Sequence, residues 1–267
     1  MSDLQERYDF AIGLAVEAGA LARRMRGAMA AADAKSRLDF CTEADLAVER
    51  LIRERVTTRF GDTMIGEEDG GDASDSVWVV DPIDGTTEFI HGTQRWCISL
   101  AYLRAGQIEI GVIYAPDDDR LFAARAGGGA FLNGRPMSVS HLAHGAVPVV
   151  ECGWSERRPL ATFTDLLHRL VAGGIEFRRH GSGALGLADV ACGLNDGYIE
   201  LHINAWDALA GILLVREAGG CTNDFLADGG LRNGACLVAV TPELVARIAD
   251  TLTASSGPIR WFPPCPS

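Results

Sequence analysis

Positive charge is in the minority in this chain: 24 Lys and Arg residues stand against 36 Asp and Glu, for a formal net charge of −12. Nucleic-acid backbones select basic surfaces, so no nucleic-acid partner is expected. No stretch reaches the roughly 18 uninterrupted apolar residues of a membrane helix, and no membrane association is expected. Residues 1 to 25 lack a signal-peptide pattern, because Asp3, Glu6 and Arg7 interrupt their apolar residues. The cysteines, at 41, 97, 152, 192, 221, 236 and 265, are odd in number and form no Cys-x-x-Cys pair. That pattern disfavours structural zinc and predicts a thiol-reduced, cytoplasmic protein. No His-x-x-x-His pair occurs among the histidines. Gly-x-Ser-x-Gly and a Walker-type phosphate loop are both missing, which argues against a serine-hydrolase elbow and a P-loop. Internal repeats and low-complexity tracts are absent too.

What remains is a 267-residue chain that is 48% hydrophobic, enough for a sizeable core in one large or two medium domains. Leu4, Tyr8, Ala11, Ile12, Ala15, Gly19 and Ala22 recur at helical spacing, predicting a helix over 3–27. A second is predicted over 43–59, with Thr42 as N-cap and Asp45 in a capping-box position. Residues 97–104 and 107–115 flank Ala105-Gly106 and predict a hairpin, with 121–125 pairing back after a turn at Asp117-Asp118-Asp119. That triplet lacks the spacing and the closing Glu of a calcium loop. The polar segment 138–147 is the candidate boundary between an N-terminal α+β domain, 1–140, and a C-terminal α/β domain, 141–267. Beyond it, strands near 147–152, 175–178, 197–202 and 235–240 alternate with helices at 159–172, 183–193, 206–218 and 242–255. This rhythm predicts an α/β fold with helices packed on a mixed or parallel sheet. The tail from Trp261, with its prolines, is expected to run extended over the surface.

The most informative stretch is Trp78-Val-Val-Asp81-Pro-Ile-Asp84-Gly-Thr-Thr87. Its apolar run reads as a buried strand ending at Asp81, broken by Pro82 and Gly85. Two carboxylates three residues apart then sit beside a Gly-Thr-Thr turn that can open a helix. Hard oxygen ligands next to helix-start N–H groups suit a divalent metal and a phosphate together. Other acids look placed rather than scattered. Glu67 and Glu68 follow the apolar Met64-Ile65, Asp45 lies in Thr42-Glu43-Ala44-Asp45, Asp207 opens an apolar helix, and Glu200 ends an alternating segment. Taken singly, each has an ordinary explanation as a cap or a solvated loop acid.

Taken together, they resemble the inositol monophosphatase family, metal-dependent and lithium-sensitive phosphatases of small phosphorylated molecules. The resemblance runs from about Lys35 to Gly220. It rests on Asp81-Pro-Ile-Asp-Gly-Thr86, Trp206-Asp207-Ala-Leu-Ala-Gly through Glu217-Ala-Gly-Gly220, Gly66-Glu67-Glu68, Thr42-x-x-Asp45 and Gly111 through Pro136. It implies a layered αβαβα sandwich, a homodimer and two or three Mg²⁺ ions. Glu67, Asp81 and the Ile83 carbonyl would hold one ion. Asp81, Asp84 and Asp207 would hold a second, and a third, looser ion would depend on Glu67. Gly85 and Thr86, with Thr87, would face the phosphate. Asp45 and Thr86 would orient and deprotonate the attacking water. Gly181, Ser182 and Glu200 would face the leaving alcohol.

The resemblance weakens at the substrate side. Glu88 stands where the family usually has Asn, Asn204-Ala205 departs from common residues before Trp206, and Gly183 replaces a more usual Ala or Thr. Inositol 1-phosphate or a related polyol monophosphate is the expected substrate. Adenosine 3′,5′-bisphosphate and histidinol phosphate are alternatives, and a non-catalytic metal- or phosphate-binding regulator is the reading from another class. Among the histidines, His180 and His202 flank pocket segments and are candidate substrate contacts, His141 and His144 are expected at the surface, and His91 is expected to be structural. Trp206 is expected to fix Asp207, and Trp96 to be core.

Overall fold

The computed structural model describes residues 3–29, 34–143, 145–256 and 260–262. His144 and the tail beyond Phe262 lie outside the described residues. The chain opens with α1 (Asp3–Met29) and α2 (Ala34–Phe60), then β1 (Thr63–Gly66), β2 (Ser76–Asp84), α3 (Thr86–His91), β3 (Cys97–Arg104), β4 (Gln107–Ala115), β5 (Arg120–Arg125), β6 (Ala130–Leu132) and β7 (Arg135–Pro136). It continues through β8 (Val149–Cys152), α4 (Leu160–Ala172), β9 (Glu176–Arg178), α5 (Gly183–Ala191), β10 (Gly197–Ile203), α6 (Ala205–Glu217), β11 (Cys221–Asn223), α7 (Gly230–Asn233), β12 (Ala235–Val240), α8 (Val245–Ser256) and β13 (Trp261–Phe262).

Seven strands form the first sheet in the order β1 to β7, antiparallel except for the parallel β1–β2 pair. The second sheet runs β13-β11-β12-β10-β8-β9, with β10, β8 and β9 parallel. α1 and α2 cover one face of the first sheet, around Trp78, Leu100, Val112 and Tyr114. α5 and α6 fill the space between the sheets, and α4 and α8 close the far face of the second. The layers are therefore α, β, α, β, α, as expected. Because α5 and α6 share one core with both sheets, the division near residue 140 stands as a proposal about folding units.

Alternating apolar residues in β4 put Ile110, Val112 and Tyr114 beneath α1 and α2. A bulge at Tyr102/Leu103 shifts the register and turns Ile108 to the opposite core. Ala105 (φ 50°) and Gly106 (φ 74°) make the tight turn between β3 and β4.

Some expectations need correction. β2 does not stop at Asp81 but continues to Asp84. β1 pairs with it only as far as Val80, so beyond that point the missing N–H of Pro82 costs no ladder bond on the β1 side. Against β3 the register skips from Asp81↔Ser99 to Asp84↔Cys97, and the strand bulges there. α2 begins at Ala34, not at 43, since neither Gly nor Pro breaks the run from 34 to 42. Thr42 is thus inside the helix, and Asp45 sits on its buried face rather than at a cap. Trp261 and Phe262 pair with β11, so this part of the tail is an edge strand. Cys41, Cys97, Cys152, Cys192 and Cys236 are free thiols, but Cys221 is disulfide-bonded, against the expectation of a wholly reduced chain. Among the described residues, no helix is long and apolar enough to cross a membrane.

Candidate active site

The end of β2, the start of α6, the turn after β1 and the buried face of α2 meet at one place. Carboxylate oxygens of Asp81, Asp84 and Asp207 all lie within 4.8 Å of one another. Each is held from behind. Asp81 Oδ1 accepts from the Ile83 N–H at 2.9 Å. Asp84 Oδ2 accepts from the Ala184 N–H at 2.9 Å, from the Ser182 hydroxyl, and from the Cys97 thiol at 3.6 Å. Asp207 Oδ2 accepts from the Asn204 N–H at 3.2 Å, so this acid caps α6 and joins the cluster at once. Glu67 projects from the turn after β1 as an exposed residue close enough for its charge and that of Asp81 to be felt mutually.

Burial raises every pKa in the cluster, and repulsion between the acids adds to it at Asp81, Asp207, Glu67 and Asp45. Desolvation drives Asp81 well above its ordinary range, followed by the charges of Glu67, Asp207 and Asp84. Asp84 is also raised by burial, against the pull of its hydrogen bonds. Burial and Asp84 push Asp207 up to about 7, while desolvation, Asp207 and Asp84 push Glu67 up to about 8. Asp45 rises to about 8 through burial, opposed by the Cys41 thiol at 3.4 Å and assisted by Glu68 and Glu67. A cluster of crowded carboxylate oxygens fits a divalent cation.

Next to the cluster, Gly85 caps the start of α3. Its φ of 87° is left-handed, and a Cβ there would meet the Arg95 carbonyl oxygen at 2.6 Å, so only Gly fits. The Thr86 hydroxyl donates to the Ile83 carbonyl at 3.2 Å, and Thr87 is exposed on the first turn. A cleft of about 140 Å³ opens beside the acids, lined by Asp84, Asp207, Trp154, Arg179, Gly181 and Glu200 among others. Glu200 accepts from the Tyr198 hydroxyl at 2.5 Å. Its pKa is pushed up to about 7 by burial, against the Tyr198 hydrogen bond, with Asp84 raising it and Arg179 lowering it.

Ser182 is 2% exposed, and its hydroxyl serves Asp84 and the Leu185 N–H; it positions a carboxylate and the start of α5. His180 bonds Glu151 through Nδ1 at 3.1 Å, and His202 bonds the Asn233 carbonyl at 2.9 Å. Neither lines the cleft. His91 ends α3 at the surface, and His141 is exposed beside Glu243. Trp96 is core, with its N–H on Asp117, which also pairs with Arg26 at 2.5 Å. Asp117 is thereby committed to the fold. The Trp206 carbonyl accepts from Ser99 at 2.9 Å and ties the start of α6 to β3. Glu88, the departure from the family pattern, bonds Thr93 at 2.8 Å and lies where a Cβ on Gly181 would strike it at 2.5 Å.

Residues 3–256 match the model of the inositol monophosphatase family. The chain belongs to that family. An inositol-1-monophosphatase of Mesorhizobium japonicum is 41% identical over 218 residues, covering 78% of this chain and 80% of its own. A protein named Nus factor SuhB from Pasteurella multocida is 38% identical over 224 residues, covering 82% and 84%. Among solved structures, inositol monophosphatase from Anabaena superposes with a TM-score of 0.82 at 30% identity, covering 96% of this chain and 98% of the other. The family is metal-dependent and acts on small phosphate esters, and Asp81, Asp84 and Asp207 are the residues here that could hold the metal.

Membership also gives context to residues that the sequence alone did not single out. Glu49, fully buried on α2, accepts from the N–H groups of Glu68 at 2.9 Å and Asp69 at 3.1 Å, and from Arg53 at 2.6 Å. It shapes the turn that presents Glu67. Its only signal in sequence is the four-residue step from Asp45 along one helix face. Glu151, 2% exposed, holds the His180 backbone at 3.3 Å, its ring, and Asn195 at 3.0 Å. Arg95 binds Asp189 at 2.6 Å and approaches Glu151 at 3.6 Å, linking the chain just before β3 to α5 and β8.

Proposed function

We propose that this chain is a Mg²⁺-dependent phosphomonoesterase that hydrolyses a polyol monophosphate such as inositol 1-phosphate. The observation that carries the reading is the convergence of Asp81, Asp84 and Asp207 on one point at the edge of a small polar cleft. Asp81, Asp84 and Asp207 would hold one ion, and Asp81, Glu67 and the Ile83 carbonyl another, with a looser third depending on Glu67. Bound Mg²⁺ supplies Lewis acidity toward the phosphate and the attacking water.

The chain's own groups do the rest. Backbone N–H groups at Gly85, Thr86 and Thr87, at the start of α3, have no intrahelical acceptor and face the phosphate. Thr86 orients the attacking water, and Asp45, buried on α2 beside Glu67, accepts its proton. Glu200, anchored by Tyr198, accepts hydrogen bonds from the alcohol, and Gly181 leaves room beside it. Close to Asp84 and itself buried, Glu200 repels a second phosphate, which favours a monophosphate over adenosine 3′,5′-bisphosphate. Assembly as a homodimer and lithium sensitivity belong to the same proposal and rest on the family resemblance; a cytoplasmic location rests on the cysteine spacing and the lack of a signal-peptide pattern, with the disulfide at Cys221 standing against it.

Relatives named Nus factor SuhB support a second reading, a role of that kind for this chain without turnover. Retention of Asp45 and Thr86 favours catalysis. The test is phosphate release from a panel of monophosphate and bisphosphate esters, with Mg²⁺ and with chelator. Release confined to Mg²⁺ and to polyol monophosphates, and lost in Asp81→Asn, supports the proposal. No release from any ester overturns it and leaves the non-catalytic reading.

A further inference from the structure

A second cavity, of about 400 Å³, lies between α1 and the outer strands of the first sheet. Tyr8 and Ile12 of α1, Leu121 and Ala123 of β5, and Phe131 of β6 wall it, and three glycines of the adjoining turns leave it unfilled. Its volume falls within the range of small-molecule pockets, about 300–1,000 Å³. None of these residues takes part in the carboxylate cluster or its cleft.

One charged group reaches this apolar space. Alternation along β5 places Leu121, Ala123 and Arg125 on the same face, so the strand presents two apolar side chains and then a guanidinium. Among the described residues, no carboxylate lies within ion-pair distance of Arg125, whereas Arg7, Arg26, Arg53, Arg95 and Arg120 each have one. Its charge is felt by Tyr8, whose phenol is raised by burial and by Asp9 and lowered by Arg125. An unpaired cation beside an apolar hollow is a costly arrangement, because a partly desolvated charge gains most from an opposite charge. Inorganic phosphate would satisfy the guanidinium and leave the apolar walls wet. A neutral hydrocarbon would do the reverse.

We infer that this cavity binds a small organic anion with an apolar body, its hydrocarbon part against Tyr8, Ile12 and Phe131 and its acidic group on Arg125. The experiment is a fluorescence titration of the full chain with Mg²⁺ present, using 8-anilinonaphthalene-1-sulfonate and its uncharged counterpart N-phenyl-1-naphthylamine. The sulfonate should bind at one saturable site per chain and be displaced by decanoate but not by inorganic phosphate. Arg125→Gln should weaken the sulfonate about tenfold, the worth of one charge-assisted hydrogen bond, and leave the neutral probe unchanged. Ala123→Phe should abolish binding of both probes. Should that variant fold poorly by circular dichroism, Ile12→Trp, which narrows the cavity from the helix side, replaces it. No saturable site, including one lost because a second copy covers this face, overturns the inference. So does sulfonate binding that is unaffected by Arg125→Gln, or that phosphate displaces.

Discussion

Glu49 touches neither the cleft nor the proposed ions, yet Glu49→Gln should weaken Mg²⁺ binding. The carboxylate spans the turn after β1, with one oxygen on the Glu68 N–H and the other on the Asp69 N–H and Arg53. Glutamine keeps one acceptor oxygen. In its best orientation it faces the Glu68 N–H with an NH₂ group and loses the charge that binds Arg53. Two interactions with a charged group, at about 1.5 kcal/mol each, give a loss of about 3 kcal/mol. For a chain of this size that is a fall in Tm of about 6–12 °C. The turn that carries Glu67 also loosens, so the Mg²⁺ concentration for half-maximal turnover should rise about tenfold, equivalent to about 1.4 kcal/mol. The kcat at saturating Mg²⁺ should stay close to that of the parent, since Glu49 contacts no group of the cleft and its charge is the smallest of the influences on Asp45. Gly66→Ala is the companion variant, because a Cβ there collides with the Glu49 carboxylate. Thermal melts with and without Mg²⁺, together with Mg²⁺ titrations of turnover, read both effects. A variant with parental Tm and parental Mg²⁺ dependence would falsify the assignment of Glu49 as the support of Glu67. A variant that loses kcat at saturating Mg²⁺ would move Glu49 into the chemistry.

Thr86→Ala should depress kcat while calorimetry shows Mg²⁺ affinity nearly intact, since the hydroxyl's one fixed bond is to the Ile83 carbonyl; lost affinity would make Thr86 a support of the metal site instead. Glu200→Gln should raise KM for a polyol monophosphate several-fold with a smaller fall in kcat, the signature of lost ground-state binding; unchanged kinetics on every ester would remove Glu200 from the cleft. Stabilisation by Mg²⁺ should grow with pH. Asp45 and Glu67 at about 8 and Asp207 at about 7 lie above their unfolded values near 4, so the metal-free fold holds protons that the unfolded chain releases. These groups therefore destabilise the metal-free chain progressively from about pH 4 to about pH 8, and a cation relieves that penalty. The Mg²⁺-induced gain in Tm should be larger at about pH 8.5 than at about pH 6, and a gain that shrank with pH would contradict the raised values.

Asp81 and Asp84 stood out in the sequence because two acids three residues apart at a strand end, beside a Gly-Thr-Thr turn, suit a hard cation; Asp207 and Glu67 gained weight only through the family resemblance, and the structure gathers Asp81, Asp84 and Asp207. The elements of the layered fold were legible in the sequence too. The periodicities of its long helices and of β3, β4 and β5 place those elements within a few residues of their bounds, apart from the upstream extension of α2, although the bulge breaks the alternation of β4 at Ile108, and the order of the layers came from the family resemblance. The errors fall where a neighbour decides. Pro82 reads as a strand breaker, and is not one because β1 has already ended beside it. Thr42 reads as a cap, and is not one because the helix simply continues upstream. Tolerance at Pro82 matters, since the bulge there turns both Asp81 and Asp84 toward the same point.

The choice of alcohol lay beyond the sequence for a different reason. The wall that faces it comes from β8 and the turn after it, the segment before α5, and β10. The contacts that shape this wall join residues far apart in the chain. Glu151 meets His180 and Asn195, Arg95 reaches Asp189, and Gly181 makes room for Glu88. Gly153 shows how narrow the tolerance is. A Cβ at that position would collide with both the Glu200 carboxylate and the Tyr198 hydroxyl. One methyl group there would displace the acceptor on which the proposed polyol depends. Gly153 follows the end of β8 and Glu200 lies within β10, and the two strands pair in parallel. Their meeting is a product of sheet register, so no local pattern around either residue announces it.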